Sequence, residues 1–238
     1  KGRLWWLPIG AFTGLPLHAC HPTDQFIHSY TTTLASLLED QSGGPFSLDK
    51  FGVVGAPGHG RDYLEGVEEE VKKIQSIIPN HDVKYLEGEH ATLEAVRLQL
   101  QHCSWVHLAC HGRVNQWEPW KVISWSGCGE NHFTALSNAQ FVFLAACNTA
   151  KSNDDRNPMF TFSEAFLTAG FRSAIRTMWE MSDEDRPLLT EAFYSHFFRD
   201  GHPPQASATA EALNLAVEKL RDSDVPCWRW IPFIHMGI

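Results

Sequence analysis

The sequence lacks the clustered lysine and arginine residues that nucleic-acid-binding surfaces use. Its formal net charge is -9 at pH 7, and its basic residues are scattered along the chain. The densest basic pair, Lys72 and Lys73, lies inside an acidic segment. Because phosphate-binding surfaces concentrate positive charge, we expect no nucleic-acid partner.

The sequence also lacks a CxxC pair. Its six cysteines are Cys20, Cys103, Cys110, Cys128, Cys147 and Cys227. A chain of 238 residues is long enough to bury a core without a disulfide framework. We therefore expect free thiols, a reducing compartment and a cytoplasmic (intracellular) location.

No uninterrupted apolar run is long enough for a membrane span. The longest uncharged stretch, residues 4–23, is interrupted by Pro8, Gly10 and Pro16, which fit poorly in a lipid-facing helix. We interpret this stretch as a buried strand followed by a loop, and we expect no membrane partner. The glycine-rich segment 55–60 lacks the Lys-Ser/Thr of a nucleotide-binding loop.

Apolar runs alternate with helical patterns along the chain. This alternation is typical of an α/β fold in which helices cover both faces of a mostly parallel sheet. The predicted strands are 4–9, 51–55, 83–86, 105–109, 141–145 and 173–178. The predicted helices are 24–38, 63–78, 92–101, 161–169, 183–198 and 206–221. We find no internal repeat and no linker, which favours one domain.

Two reactive residues end apolar runs. His111 ends the run that begins at Trp105, and Cys147 ends the run that begins at Phe141. Ligands of parallel sheets bind beyond the carboxyl ends of the strands. If the two strands are neighbours, His111 can lower the thiol pKa of Cys147 and later protonate a leaving amine. The N–H groups of Gly112 and Cys147 are candidate oxyanion donors. A buried structural cysteine is the alternative interpretation.

The surrounding motifs resemble those of CHAT-domain cysteine peptidases, which are relatives of caspases and separase. The segments HLACHG (107–112) and FLAACNTA (143–150) are similar to the paired active-site motifs of that family. The resemblance covers almost the whole chain and is greatest to fungal members. Further matches, in order, are LPLHA (15–19), SYTTTLASLL (29–38), FGVVGAPG (51–58), EGVEEEV (65–71), LEGEHATLEAV (86–96), AFLTAGFRSAIRTMWEMSDED (165–185) and WRWIPFIHMG (228–237).

This resemblance implies a caspase-like sheet in a single CHAT-like peptidase domain over residues 1–238. It implies a cysteine endopeptidase in which a dyad of His111 and Cys147 cleaves peptide bonds through an acyl-enzyme, without a metal or other cofactor. The implied partners are a protein or peptide substrate and an upstream helical-repeat region, often of the tetratricopeptide type, that recruits or controls. The chain does not begin with Met, and we expect it to be the C-terminal part of a longer protein.

The chain departs from the family pattern near the dyad. Ala145 stands where relatives usually have serine, and Asn115 stands where many have an acidic residue. The segment 117–133 has largely lost the family signal. These departures fall where a substrate groove would be lined. The alternative function is therefore a catalytically weak caspase-like scaffold that acts as a protein-interaction module.

The loops after the dyad residues supply the candidate substrate-binding residues. Besides Asn115, these are Trp117, a candidate for lining a groove in the loop after His111, and the pair Asp154 and Asp155. The two aspartates attract a basic substrate side chain or belong to a solvated loop.

A zinc site is a further interpretation of the segment around His111. Cys103, His107, Cys110 and His111 are all zinc-ligand types. Strand alternation puts His107 and His111 on one face and Cys110 on the other, so four ligands do not converge. We expect no metal site, and we interpret His107 as a buried residue that supports its neighbours.

Overall fold

The computed structural model describes residues 1–20, 25–38, 50–58, 60, 63–78, 83–110, 136, 139–145, 163–164, 166–199 and 206–237. Eight strands of these residues form one sheet in the order β1-β2-β8-β7-β6-β5-β3-β4. The strands are β1 (Gly2–Trp6), β2 (Phe26–Tyr30), β3 (Phe51–Ala56), β4 (Val83–Glu87), β5 (Trp105–Cys110), β6 (Phe141–Leu144), β7 (Ser173–Thr177) and β8 (Phe233–Gly237). The helices are α1 (Ala35–Leu38), α2 (Glu65–Ile77), α3 (Leu93–His102), α4 (Asp185–Phe197), α5 (Ala206–Arg221) and α6 (Cys227–Trp230).

The sheet is parallel except for one pair of strands. Strand β8 runs antiparallel to β7 and parallel to β2, and every other described pair is parallel. Helices α2, α4 and α5 cover one face, where Val71, Phe193 and Ala216 share one buried core. Helix α3 covers the other face, where Val96 belongs to a second core. The predicted caspase-like fold, a mostly parallel sheet with helices on both faces, is confirmed.

Helix α2 shows how the apolar pattern gives this packing. Residues Val67, Val71, Ile74 and Ile78 recur at helical spacing and are buried, because this stripe faces the sheet. Glu68 and its neighbours on the outer side are exposed. The predicted helices 63–78 and 183–198 are confirmed with slightly shorter bounds. The predicted helix 92–101 is confirmed with a shift of one residue, and the predicted helix 206–221 is confirmed with the same bounds.

The helix that we predicted at 24–38 is wrong. Residues Phe26–Tyr30 form strand β2, which pairs with β1, and only Ala35–Leu38 are helical. Strand β8 was not predicted at all. Both strands carry polar residues on their inward face, Ser29 in β2 and His235 in β8, so neither forms the apolar run that marks a buried strand.

None of the helices in the described part of the chain combines the length and the apolar character that a membrane span requires.

Candidate active site

Strands β5 and β6 lead to the two predicted catalytic residues. The strands are hydrogen-bonded neighbours with a parallel register that runs from Trp105↔Phe141 to Leu108↔Leu144. The carboxyl ends of parallel neighbours meet at one edge of a sheet. The chain therefore leaves β5 after Cys110 and β6 after Leu144 at the same edge.

The predicted site residues themselves lie outside the described residues. They are His111, Gly112, Asn115, Trp117, Cys147, Asp154 and Asp155. The described part of the site consists of the two strand ends and the side chains that pack beneath them.

Side-chain alternation assigns these strands to the two cores. His107 and Ala109 of β5 lie on the face that α2 and α4 cover, and so do Phe143 and Ala145 at the end of β6. Cys103 belongs to the opposite core. Among the residues that the structure describes, no group of three or more His, Cys, Asp or Glu side chains is arranged to hold a metal ion.

A buried set of polar and ionisable side chains lies under the two strand ends. We call it the ionic cluster, and its members are Glu70, His107, Arg186, Thr190 and Tyr194. Glu70 Oε1 lies 3.1 Å from His107 Nε2 and accepts a 2.6 Å hydrogen bond from the Thr190 hydroxyl. The Tyr194 hydroxyl lies 2.9 Å from His107 Nδ1. The cluster thus joins α2 and α4 to strand β5.

Charge inside the cluster governs its protonation. Burial alone would raise the pKa of Glu70, but His107, Arg186 and the Thr190 hydroxyl together hold that pKa below its usual value. Burial, with the nearby Glu70 carboxylate, raises the pKa of Tyr194 well above its usual value. Near neutral pH, Glu70 is therefore an anion and Tyr194 keeps its proton.

Arg186 connects the ionic cluster to strand β6. Its Nη1 lies 3.6 Å from Glu70 Oε2 and donates a hydrogen bond to the carbonyl oxygen of Ala145. Its Nε lies 3.0 Å from Asp183 Oδ1. The Arg186 side chain is 1% exposed, so it is a buried cation between two carboxylates and a backbone carbonyl.

Asp183 ties the same cluster to the start of helix α2. Its Oδ2 accepts a 2.8 Å hydrogen bond from the backbone N–H of Gly66, at the positive end of the helix dipole. A Cβ atom at Gly66 would lie 2.3 Å from the Asp183 carbonyl oxygen. This close approach accounts for glycine at position 66.

A second buried polar set lies on the same face, towards β2, β7 and β8. We call it the hydroxyl cluster, and its members are Ser29, Ser173, Thr209 and His235. His235 Nδ1 lies 3.0 Å from Ser29 Oγ, and its Nε2 lies 2.8 Å from Ser173 Oγ and 3.0 Å from Thr209 Oγ1. Burial, and then nearby Arg3, hold the pKa of His235 well below its usual value.

Sequence reasoning missed Glu70 and Arg186. Glu70 falls on the buried stripe of α2, between Val67 and Ile74. Arg186 falls on the buried stripe of α4, three residues before Leu189. A charged residue at a stripe position is the signal that would have identified each one, because isolated charges are rarely buried. His107, which we interpreted as a buried supporting residue, is 0% exposed and belongs to the same cluster.

Of the tryptophans in apolar runs, Trp105 is completely buried and packs against Phe141 and Phe197. Trp5 and Trp6 are half-buried in edge strand β1, and Trp179 is half-buried just after β7.

Comparisons with known proteins bear on this architecture. The model of the CHAT domain family matches residues 1–238. None of the curated proteins matches the sequence. The structure is similar to separase in the Saccharomyces cerevisiae separase–securin complex, with a TM-score of 0.63 and 14% identity over 96% of this chain and 15% of that chain. It is also similar to the Arg-specific cysteine proteinase gingipain R, with a TM-score of 0.54 and 14% identity over 89% of this chain and 54% of that chain.

Proposed function

Because the chain belongs to the CHAT domain family, we propose that it is a cysteine endopeptidase that uses His111 and Cys147 as a catalytic dyad. The observation that carries the proposal is the adjacency of β5 and β6. His111 follows the last residue of β5, and Cys147 comes three residues after the last residue of β6. The fold shared with separase and with a cysteine proteinase supports peptidase chemistry in general.

The strand register further supports this pairing. The same number of residues separates His111 from Cys147 as separates each described pair, such as Trp105 and Phe141. In chain order, the two dyad residues are therefore at corresponding distances from paired residues of two neighbouring strands. This correspondence favours His111 as the partner of Cys147.

In the proposed reaction, His111 accepts the thiol proton of Cys147, and the thiolate attacks the carbonyl carbon of the scissile peptide bond. The N–H groups of Gly112 and Cys147 donate to the oxyanion of the tetrahedral intermediate. His111 then gives its proton to the leaving amine as the carbon–nitrogen bond breaks. Water hydrolyses the resulting thioester, which releases the acid and restores the thiol.

The substrate is proposed to be a protein or peptide. Separase was solved in complex with securin, and gingipain R is named as Arg-specific. Asp154 and Asp155 have the charge to bind a basic substrate side chain, and Asn115 and Trp117 are the other proposed binding residues. An upstream helical-repeat region is the proposed regulatory partner.

The test is covalent labelling with a peptide probe that carries a thiol-reactive electrophile. We expect the wild-type protein to be labelled at Cys147, and labelling to be lost in Cys147→Ala and strongly reduced in His111→Ala. Cys110→Ala is the matched control, because it removes the thiol next to His111 without touching the dyad. Mass spectrometry of the labelled peptides identifies the site.

Equal labelling of Cys147 with and without His111 would contradict the peptidase proposal. That result, together with no cleavage across a peptide substrate library, would favour the catalytically weak scaffold instead. A cleavage profile from the same library gives the substrate preference if the dyad is active.

A further inference from the structure

The ionic cluster joins the two chain segments that lead to the dyad. His107 lies in β5, four residues before His111, and Ala145 follows β6, two residues before Cys147. Glu70 is 3.1 Å from His107 and 3.6 Å from Arg186, which in turn donates to the Ala145 carbonyl. One carboxylate and its arginine partner therefore connect both strand ends.

We propose that Glu70 and Arg186 are positioning residues that set where His111 lies relative to Cys147. This inference rests on the proposed function. Two residues of chain span at most about 7 Å, so the hydrogen bond at Ala145 constrains the backbone close to Cys147. Misplacing reacting groups by about 1 Å can cost about 10²-fold in rate. We therefore expect a fixed strand end to affect the catalytic rate more than the folding stability.

The chemistry of the ionic cluster is better explained by a role in orienting the backbone than by a contribution to stability alone. A buried ion pair gains little over well-packed apolar side chains, because desolvation offsets the attraction. Aromatic rings pack against the His107 member of the cluster, whose ring centroid lies 4.8 Å from that of Phe143 and 5.7 Å from that of Tyr194. An apolar set would fit such surroundings. The guanidinium, by contrast, donates to one chosen carbonyl in a fixed direction.

The experiment measures the pH dependence of Cys147 alkylation by iodoacetamide, with kcat and KM for a cleaved peptide. The variants are Glu70→Gln and the milder Tyr194→Phe, which removes only the hydroxyl next to His107. The matched control is Thr209→Val, which removes a hydroxyl from the hydroxyl cluster on the same face, where its described hydrogen bonds go to Ser173 and His235. Circular dichroism checks that each variant is folded.

In wild type we expect the alkylation midpoint below about 8.5, the value of an ordinary thiol. Glu70→Gln should raise the midpoint towards that value and lower kcat about 10- to 100-fold, with KM changed much less. Tyr194→Phe should also raise the alkylation midpoint and lower kcat, but by smaller amounts than Glu70→Gln. Thr209→Val should leave the midpoint and kcat at the wild-type values.

The outcomes separate the two proposals. A folded Glu70→Gln with the wild-type midpoint and kcat overturns the positioning role and leaves the peptidase proposal intact. A wild-type midpoint that does not change in His111→Ala overturns both. If Glu70→Gln does not fold, Arg186→Lys replaces it, because the shorter side chain keeps the charge and loses the hydrogen bond to Ala145. An unchanged midpoint and kcat in Arg186→Lys overturn the positioning role equally.

Discussion

The ionic cluster and the hydroxyl cluster are buried on the same face of one sheet, yet they use opposite chemistry. The ionic cluster holds a carboxylate and a guanidinium between α2, α4 and the ends of β5 and β6. The hydroxyl cluster holds a neutral imidazole among three hydroxyl groups between α5 and strands β2, β7 and β8. The pairing of a buried carboxylate with a guanidinium lies where the candidate dyad begins. The hydroxyl cluster has no carboxylate among its members and is contacted by the Arg3 guanidinium, which donates to Ser29 Oγ at 2.9 Å and lies 3.5 Å from His235 Nδ1.

We interpret the two clusters as having different roles: the ionic cluster orients the ends of β5 and β6, and the hydroxyl cluster holds neighbouring strands together. Hydroxyl and imidazole groups exchange donor and acceptor roles, so the hydroxyl cluster can satisfy every member at modest energetic cost. Burying the charged groups of the ionic cluster costs their hydration free energy. Removing either charge alone would leave the opposite charge buried without that partner, which is strongly destabilising. We therefore expect the two clusters to respond very differently to matched substitutions.

The largest effect is expected when the Arg186 charge is removed. Arg186→Met keeps side-chain bulk but removes the guanidinium that lies 3.6 Å from Glu70 Oε2 and 3.0 Å from Asp183 Oδ1. Removing one partner of a buried ion pair typically costs about 3–5 kcal/mol. Urea denaturation at pH 7 measures the free energy of unfolding. The double variant Arg186→Met with Glu70→Met is the control and should recover part of the loss. A single variant as stable as wild type would contradict the ionic description.

Acid is expected to weaken the hydroxyl cluster first. The folded protein keeps the pKa of His235 well below 6.5, and that of half-buried His18 at about 4. Below pH 6.5 the unfolded chain therefore binds more protons than the folded one, and stability falls by up to about 1.4 kcal/mol per pH unit for each histidine. For Glu70, whose folded pKa is lowered, the loss begins only below its usual value of 4.5.

Unfolding free energies at several pH values test this order. His235→Asn should reduce the slope between pH 6.5 and 4.5 by about half, because His18 remains. Glu70→Gln should leave that slope unchanged and reduce the slope below pH 4.5. Equal slopes for His235→Asn and wild type in the upper window would contradict a neutral hydroxyl cluster.

A smaller effect is expected for Thr209→Val. Its hydroxyl contacts Ser173 at 2.8 Å and His235 at 3.0 Å, and these two also contact each other. Because the partners keep a hydrogen bond, the loss should be about 1 kcal/mol in the free energy of unfolding at pH 7. A loss as large as that of Arg186→Met would show that the two clusters do not differ as described.

The smallest effect is expected at the surface above the ionic cluster. Lys73 and Glu191 form a 2.9 Å ion pair between α2 and α4, with side chains 35% and 39% exposed. Solvent screens such pairs, so Lys73→Ala should change the unfolding free energy by about 0.5 kcal/mol or less. A double-mutant cycle with Glu191→Ala measures the interaction energy of the ion pair. An interaction energy as large as that of a buried ion pair would contradict the expectation that this effect is the smallest.

The two clusters also mark where sequence reasoning succeeded and where it did not. Strands β3 to β7 were predicted because their inward positions are mainly apolar, as in β3, and such runs are legible in the sequence. Strands β2 and β8 were missed because Ser29 and His235, both in the hydroxyl cluster, interrupt their apolar character. Glu70 and Arg186 were missed because a helical pattern is judged by its apolar residues, and only tertiary contacts show where a buried charge finds its partner.

The candidate site divides in the same way. The motifs around His111 and Cys147 pointed to those residues. From the sequence, the adjacency of the two strands was stated only as a condition, which the structure meets. The dyad itself stays a prediction, since both residues lie outside the described part of the chain. The cluster beneath the strands was not predictable, because Glu70, His107 and Arg186 are far apart in sequence and come together only through the crossover connections.

The position of β8 has a consequence for how the chain reaches this fold. Strand β8, residues 233–237, lies between β2 and β7, so the described sheet stays in two parts until that late segment has been synthesised. Strands β1 and β2 are made before the other strands of this sheet, and one edge of the pair stays open until β8 is made some 200 residues later. Pairing at such sequence separation is slow. Within this sheet, the earliest strands are thus the last to be joined to the rest.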